Sequence, residues 1–147
     1  MKASLLIADR DSGLVDAVRR CLVARGYEVS TAVNALECHD LLLRTSPTIL
    51  VLDPELLWGG GDGILDWLVT EEPLMPPMVV ITDAPPTGRL IPDHLEPWID
   101  LRIQRPTCLD DLLTYVHQLE SLAWWSQSPT RTAAVQGTVT SPRTVIH

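Results

Sequence analysis

The chain has 147 residues, 46% of them hydrophobic, which suffices for one domain with a buried core. Its formal net charge is −8, so neither nucleic acid nor an anionic membrane surface is an expected partner. No apolar run approaches the ~18–20 residues of a membrane span, the first apolar run reads as a strand rather than a leader, and the expected location is cytoplasmic.

The three cysteines, Cys21, Cys38 and Cys108, are widely spaced and form no C-x-x-C pair. They read as core residues of a reducing compartment, not as a disulfide framework or a zinc site. The histidines at 39, 94, 117 and 147 show no metal-ligand spacing.

In chain order, "ASLLIAD" is a short apolar run of the kind buried on both faces of a sheet. Asp11 or Ser12 then caps a helix that carries Leu14, Val15, Val18, Cys21 and Leu22 at helical spacing and ends at Gly26. "YEVSTA" (27–32) is a second strand. Asn34 with Glu37 makes a capping-box-like start for a helix over 35–45. "TILVLD" (48–53) is a third buried strand that ends on an aspartate. The loop "PELLWGGGDG" follows, and a helix is expected at about 64–72, stopped before Pro73. The glycines at 59–63 read as a flexible turn, because the Lys-Ser/Thr of a phosphate-cradling loop is missing.

"PMVVITD" (77–83) is a fourth strand. Four prolines, at 85, 86, 92 and 97, allow only a short, broken helix over 84–97. "WIDLRI" (98–103) reads as a fifth strand, and a long last helix begins after Thr107, its expected cap, with Trp124 and Trp125 near its end. Those tryptophans suit either packing on the domain itself or anchoring a partner. The Ser/Thr/Pro-rich remainder holds no acidic residue. The chain therefore divides into a domain at 1–125 and a tail at 126–147, too short to be a DNA-binding output domain.

Strands that alternate with helices in this way predict an α/β doubly wound five-stranded parallel sheet with right-handed crossovers. In such sheets the functional crevice lies at the carboxyl ends of the strands. That edge collects Asp9, Arg10 and Asp11, then Asp53 and Glu55, then Thr82 and Asp83, and finally Arg105.

In "LLIADRD", "PTILVLD", Asp62-Gly63, "MVVITD" and "RPTCLDDLL", taken in order and spacing over roughly residues 3–122, the sequence resembles the receiver domain of bacterial two-component response regulators. The resemblance implies a flavodoxin-like (βα)5 fold with strand order 2-1-3-4-5. It also implies transfer of a phosphoryl group from a histidine kinase to an aspartate, here Asp53 by strand position. In the family, Mg²⁺ held by acids after the first strand and by the acceptor neutralises the transferring oxygens. A lysine after the fifth strand and a Ser/Thr after the fourth contact the phosphoryl group.

Matched residue by residue, Asp9 takes the first acidic position, Asp53 the acceptor and Thr82 the hydroxyl position. Arg10 stands where the second acid is expected, and Arg105 where the lysine is expected; Lys2 is the only lysine in the chain. Asp83 replaces a small residue, Arg102 replaces the switch aromatic, and the loop after Asp53 is longer than usual.

A guanidinium among carboxylates competes with a metal in charge and in volume, and forks onto a carboxylate as a metal cannot. The expectation is an ion-pair network in which Arg10 and Arg105 balance Asp9, Asp53 and Asp83. Metal binding at Asp9 and Asp53 is then weak or absent, and no cofactor is expected. The chain reads as a pseudo-receiver that signals by protein–protein contact with a histidine kinase or a downstream effector. The segment 84–125 offers a face for a homodimer. The competing reading keeps the chemistry: Arg10 turns to solvent, Asp9 and Asp11 hold Mg²⁺, and Asp53 accepts phosphate with Thr82 and Arg105 contacting it. On either reading the chain is no enzyme beyond autocatalytic phosphoryl transfer to Asp53. A hydrolase using Asp53 is disfavoured, since no general base is visible.

Overall fold

The computed structural model describes residues 3–73, 75–83, 91–104 and 109–126, the side chains of Asp83, Leu109 and 122–126 excepted. The elements follow in strict alternation: β1 (Ser4–Ala8), α1 (Ser12–Ala24), β2 (Glu28–Ala32), α2 (Ala35–Thr45), β3 (Ile49–Leu52), α3 (Gly60–Glu71) and β4 (Met78–Asp83). A 3₁₀ turn (Asp93–Trp98), β5 (Leu101–Gln104) and α4 (Leu109–Ser126) complete the domain. All strand pairs are parallel, as the pattern of apolar runs predicts, and the strand order is β2-β1-β3-β4-β5, as the resemblance implies.

Successive residues of a strand face opposite sides of the sheet, so a strand covered on both sides must be apolar throughout. Leu6 and Ala8 of β1, with Leu50 and Leu52 of β3, join Cys38 and Leu42 of α2 and Leu65 and Leu68 of α3 in one core. Leu5 and Ile7, with Ile49 and Val51, join Val18 and Leu22 of α1 and Val116 and Leu119 of α4 in the other. The sheet thus carries α2 and α3 on one face and α1 and α4 on the other. Burial in the first core pushes the Cys38 thiol up to about 12.

The helix starts follow the side chains that the sequence places there. Asp11 Oδ1 accepts from the Leu14 amide (3.1 Å), which makes Asp11, not Ser12, the cap of α1. Asn34 Oδ1 accepts from the Glu37 amide (2.9 Å), and the Glu37 carboxylate accepts in return from the Asn34 side-chain amide (3.2 Å). Gly26 follows the end of α1 with φ 91°, a conformation that costs glycine little.

Two expectations need correction. The run 98–103 reads as strand five, but Trp98 belongs to the 3₁₀ turn and β5 starts at Leu101. The reason is Asp100, whose buried carboxylate accepts from the Val79 amide (2.7 Å) while its own amide donates to the Val79 carbonyl (2.9 Å). This local exchange precedes the ladder that begins at Val80–Leu101. The second correction concerns the glycine run: Gly60, Gly61, Asp62 and Gly63 form the first turn of α3, not a flexible loop before it. The helix α4 runs on to Ser126, the first residue of the expected tail; the expected cap Thr107 and residues 127–147 lie outside the described residues.

Candidate functional site

The parallel register fixes which residues meet at the carboxyl edge. Ala8 pairs with Leu52 and Leu52 with Ile81, so Asp9, Asp53 and Thr82 follow side by side on three neighbouring strands. All three are buried, Asp53 most completely at 1% exposure. Backbone bonds hold the arrangement: the Asp9 amide donates to the Ala32 carbonyl (3.0 Å), and the Asp53 amide to the Ala8 carbonyl (2.9 Å).

Arg10 turns toward this cluster. Its backbone amide donates to Asp53 Oδ2 (3.1 Å), and its guanidinium Nε lies 3.6 Å from the same oxygen. Its Nη1 donates to Glu55 Oε2 at 2.5 Å. The other Asp53 oxygen, Oδ1, accepts from the Glu55 amide (2.9 Å), and Asp9 Oδ1 accepts from the Asp11 amide (2.9 Å). One guanidinium therefore bridges two carboxylates, one buried and one at the rim, while backbone amides donate to both Asp53 oxygens and to Asp9 Oδ1.

The loop after β3 delivers Glu55 to Arg10, and Gly61 lets that loop close. A Cβ at Gly61 would lie 2.6 Å from the Asp53 carbonyl oxygen and 2.8 Å from Pro54 Cα, both backbone atoms. The Gly61 amide instead donates to the Pro54 carbonyl (3.0 Å), which draws the first turn of α3 against the site. Between them, Trp58, Gly59 and Gly60 all have positive φ (62°, 130° and 74°). Two glycines adopt this freely; Trp58 does so at a cost.

The residues expected at this edge separate as follows. Asp9, Arg10, Asp53, Glu55 and Thr82 converge. Asp11 lies beside them, but its side chain caps α1. Asp83 ends β4, paired with Gln104. Arg105 and Cys108 lie outside the described residues, as does the Asp83 side chain. Arg102 occupies an exposed position on β5 and forms an ion pair with Glu96 of the 3₁₀ turn. The pairing of Glu55 with Arg10 is one that sequence reasoning misses. Its signal lies in "DPE", a second carboxylate two residues past Asp53, and becomes legible once β1 and β3 are known to be neighbours.

Mg²⁺ demands near-octahedral oxygen ligation at about 2.0–2.1 Å. Beside Asp53 Oδ2 such an ion would meet the Arg10 guanidinium, whose charge and volume already occupy that side. Among the described residues, no group of three or more His, Cys, Asp or Glu is arranged to hold a metal ion. As folded, the residues present do not fit the Mg²⁺ that the resemblance implies.

Fold and site edge together define a doubly wound α/β domain with an acidic crevice plugged by arginine. The fold is that of the CheY-like receiver domains of response regulators. A receiver domain protein from Methanospirillum hungatei JF-1 superposes with a TM-score of 0.77 at 18% identity, covering 84% of this chain and 98% of that one. The signal receiver domain of a putative Luxo repressor protein from Vibrio parahaemolyticus gives 0.71 at 18% identity, covering 94% and 100%. NtrX from Brucella abortus gives 0.70 at 19% identity; 92% of this chain corresponds to 30% of that larger protein. No family model and no curated protein sequence matches the chain. Among the described residues, no helix is long and apolar enough to cross a membrane.

Proposed function

We propose that this chain is a receiver-like signalling module of a two-component phosphorelay system, in which Arg10 stands in place of the metal and the output is protein–protein contact. The observation that carries the reading is the bridge from Arg10 to Asp53 and Glu55. It supplies at the acceptor position the positive charge that a metal would otherwise supply. A crevice that already holds a cation beside the acceptor position has less need of a divalent ion, and phosphoryl transfer without one lacks the charge compensation that the reaction requires.

The same reading extends to β5. Arg102, held by Glu96, replaces a switch aromatic; turning its charge into the apolar core would be costly. The module is accordingly a constitutive binding surface at 1–125 of a cytoplasmic protein, with 126–147 as a tail. Its partner is a histidine kinase or an effector, and 84–125 is the candidate homodimer face.

The test follows tryptophan emission while millimolar Mg²⁺ and then beryllofluoride are added to the full chain. Trp58, three residues beyond Glu55, is 70% exposed and reports on the loop. The expected result is no saturable change. A saturable change that disappears in Asp53→Asn would overturn the proposal in favour of a working phosphoacceptor using Asp53, Asp9, Thr82 and Arg105.

A further inference from the structure

The loop that closes the site also builds a surface that the site does not use. The Ala35 amide donates to the Leu57 carbonyl at 2.7 Å, and Asn34 and Leu57 form an isolated parallel bridge. A Cβ at Gly59 would lie 3.4 Å from Ala35 Cβ, so the loop lies directly on the start of α2. This stitching brings together three large apolar residues that all point to water: Leu36 (65% exposed), Leu57 and Trp58. Leu43, similarly exposed, continues the stripe two turns further along α2.

Two features mark the stripe as more than scattered surface leucines. Trp58 is held at φ 62°, a left-handed conformation that a bulky L-residue adopts only under constraint, and such strain concentrates at functional positions. An exposed tryptophan flanked by leucines also supplies the kind of large anchor that dominates binding energy at protein interfaces. The surround is acidic on balance: Glu37 and Asp40 flank the stripe on α2, Asp62 stands half-buried in the first turn of α3, and Glu55 in the loop is shared with Arg10. The one arginine of α2, Arg44, is already paired with Asp40.

We infer that Leu36, Leu43, Leu57 and Trp58 form a docking site for a basic amphipathic helix of a partner protein. Leu36 and Leu43 stand at i and i+7 on α2, about 10.5 Å apart along the axis, which matches the i and i+7 anchors of a facing helix. Lysine or arginine beside those anchors complements the acidic rim. A second copy of this chain is a poor occupant, because a two-fold contact would set one acidic rim against the other in a protein of net charge −8. The inference rests on the protein-binding half of the proposed function and is independent of whether the crevice takes a metal.

The probe is a synthetic 18-residue Leu/Lys peptide with apolar residues at helical spacing, titrated into the full chain and compared with a scrambled peptide of the same composition. Binding is read from Trp emission, and the site is located by hydrogen exchange. The expected result is saturable binding with protection over 35–43 and 54–60. Leu36→Gln/Leu57→Gln, which alters only exposed side chains, should weaken it at least tenfold, and added salt should weaken it further. Equal binding of the scrambled peptide, unchanged affinity in the double variant, or protection elsewhere would each overturn the site. A concentration-dependent dimer abolished by the double variant would overturn the basic-helix occupant and assign the surface to a second copy. The Mg²⁺ titration is unaffected by any of these results, so the two proposals fail separately.

Discussion

Replacing Arg10 by aspartate should exchange an internal cation for an external one. At 3.6 Å and an effective dielectric near 20, the gross attraction between Arg10 and Asp53 is about 4–5 kcal/mol. Most of that is offset by desolvation and side-chain ordering. Exposed pairs contribute about 0–1 kcal/mol, and breaking a fully buried pair costs about 3–5 kcal/mol. Asp53 is buried but the Arg10 side chain is 34% exposed, so an intermediate loss of about 2 kcal/mol is expected. Repulsion of the introduced carboxylate by Asp9 and Asp53 adds to that loss.

The assay is urea denaturation followed by tryptophan emission, with EDTA and again with Mg²⁺. For a slope of about 1.5 kcal/mol/M, the loss moves the midpoint down by roughly 1.3 M in EDTA. Among the described residues, the charged groups of the variant's site are now all acids. If its Mg²⁺ dissociation constant is about 1 mM, then about 10 mM Mg²⁺ restores about 1.4 kcal/mol by mass action. The unaltered protein should show no Mg²⁺-dependent shift. The reasoning is refuted if Mg²⁺ stabilises the unaltered protein as much as the variant, or if the variant is as stable in EDTA as its parent.

Three further outcomes follow from the geometry. Gly61→Ala forces a Cβ onto the Asp53 carbonyl and Pro54 Cα, neither of which can move aside, and should cost about 2–3 kcal/mol in the same denaturation assay. Trp58→Gly releases a left-handed residue, and the gain of about 1–2 kcal/mol roughly offsets the backbone freedom added to the unfolded chain, so stability should change by less than about 1 kcal/mol. A clear destabilisation there would show that the indole is packed rather than presented. Cys38, with its folded pKa raised to about 12, should resist thiol reagents in the native state at pH 8; with Cys21 and Cys108 replaced by serine, labelling should track unfolding. The linkage has a definite sign: an unfolded thiol ionises near 9 and the folded one near 12, so stability is intact below pH 9. Above it, stability falls by about 1.4 kcal/mol per pH unit until about pH 12.

The legibility of this chain divides along the range of the forces involved. Strand identity depends on continuous apolar runs, and "LLIA" and "ILVL" can be read directly because both their faces are buried. Caps at Asp11 and Asn34 are equally local. Where a boundary differs from the local pattern, a longer-range contact decides it. Asp100 spends its carboxylate on Val79, 21 residues away, and thereby delays β5. The glycine run looks flexible because its composition alone reports freedom. The neighbouring Pro54 carbonyl and the crowding against Asp53 turn that freedom into the first turn of a helix.

By itself the sequence determined the alternation of strands and helices, and hence the sheet and the row of Asp9, Asp53 and Thr82 at its edge. It also placed a guanidinium where an acid was expected, but left two directions open for it. Only the tertiary structure decided between them. Arg10 reaches inward because β1 and β3 are neighbours, and because Gly61 lets the following loop close far enough to offer Glu55 as a second carboxylate, 45 residues away in the chain. A side chain's rotamer is chosen by the partners within its reach, and a partner that distant becomes local only once the sheet has formed.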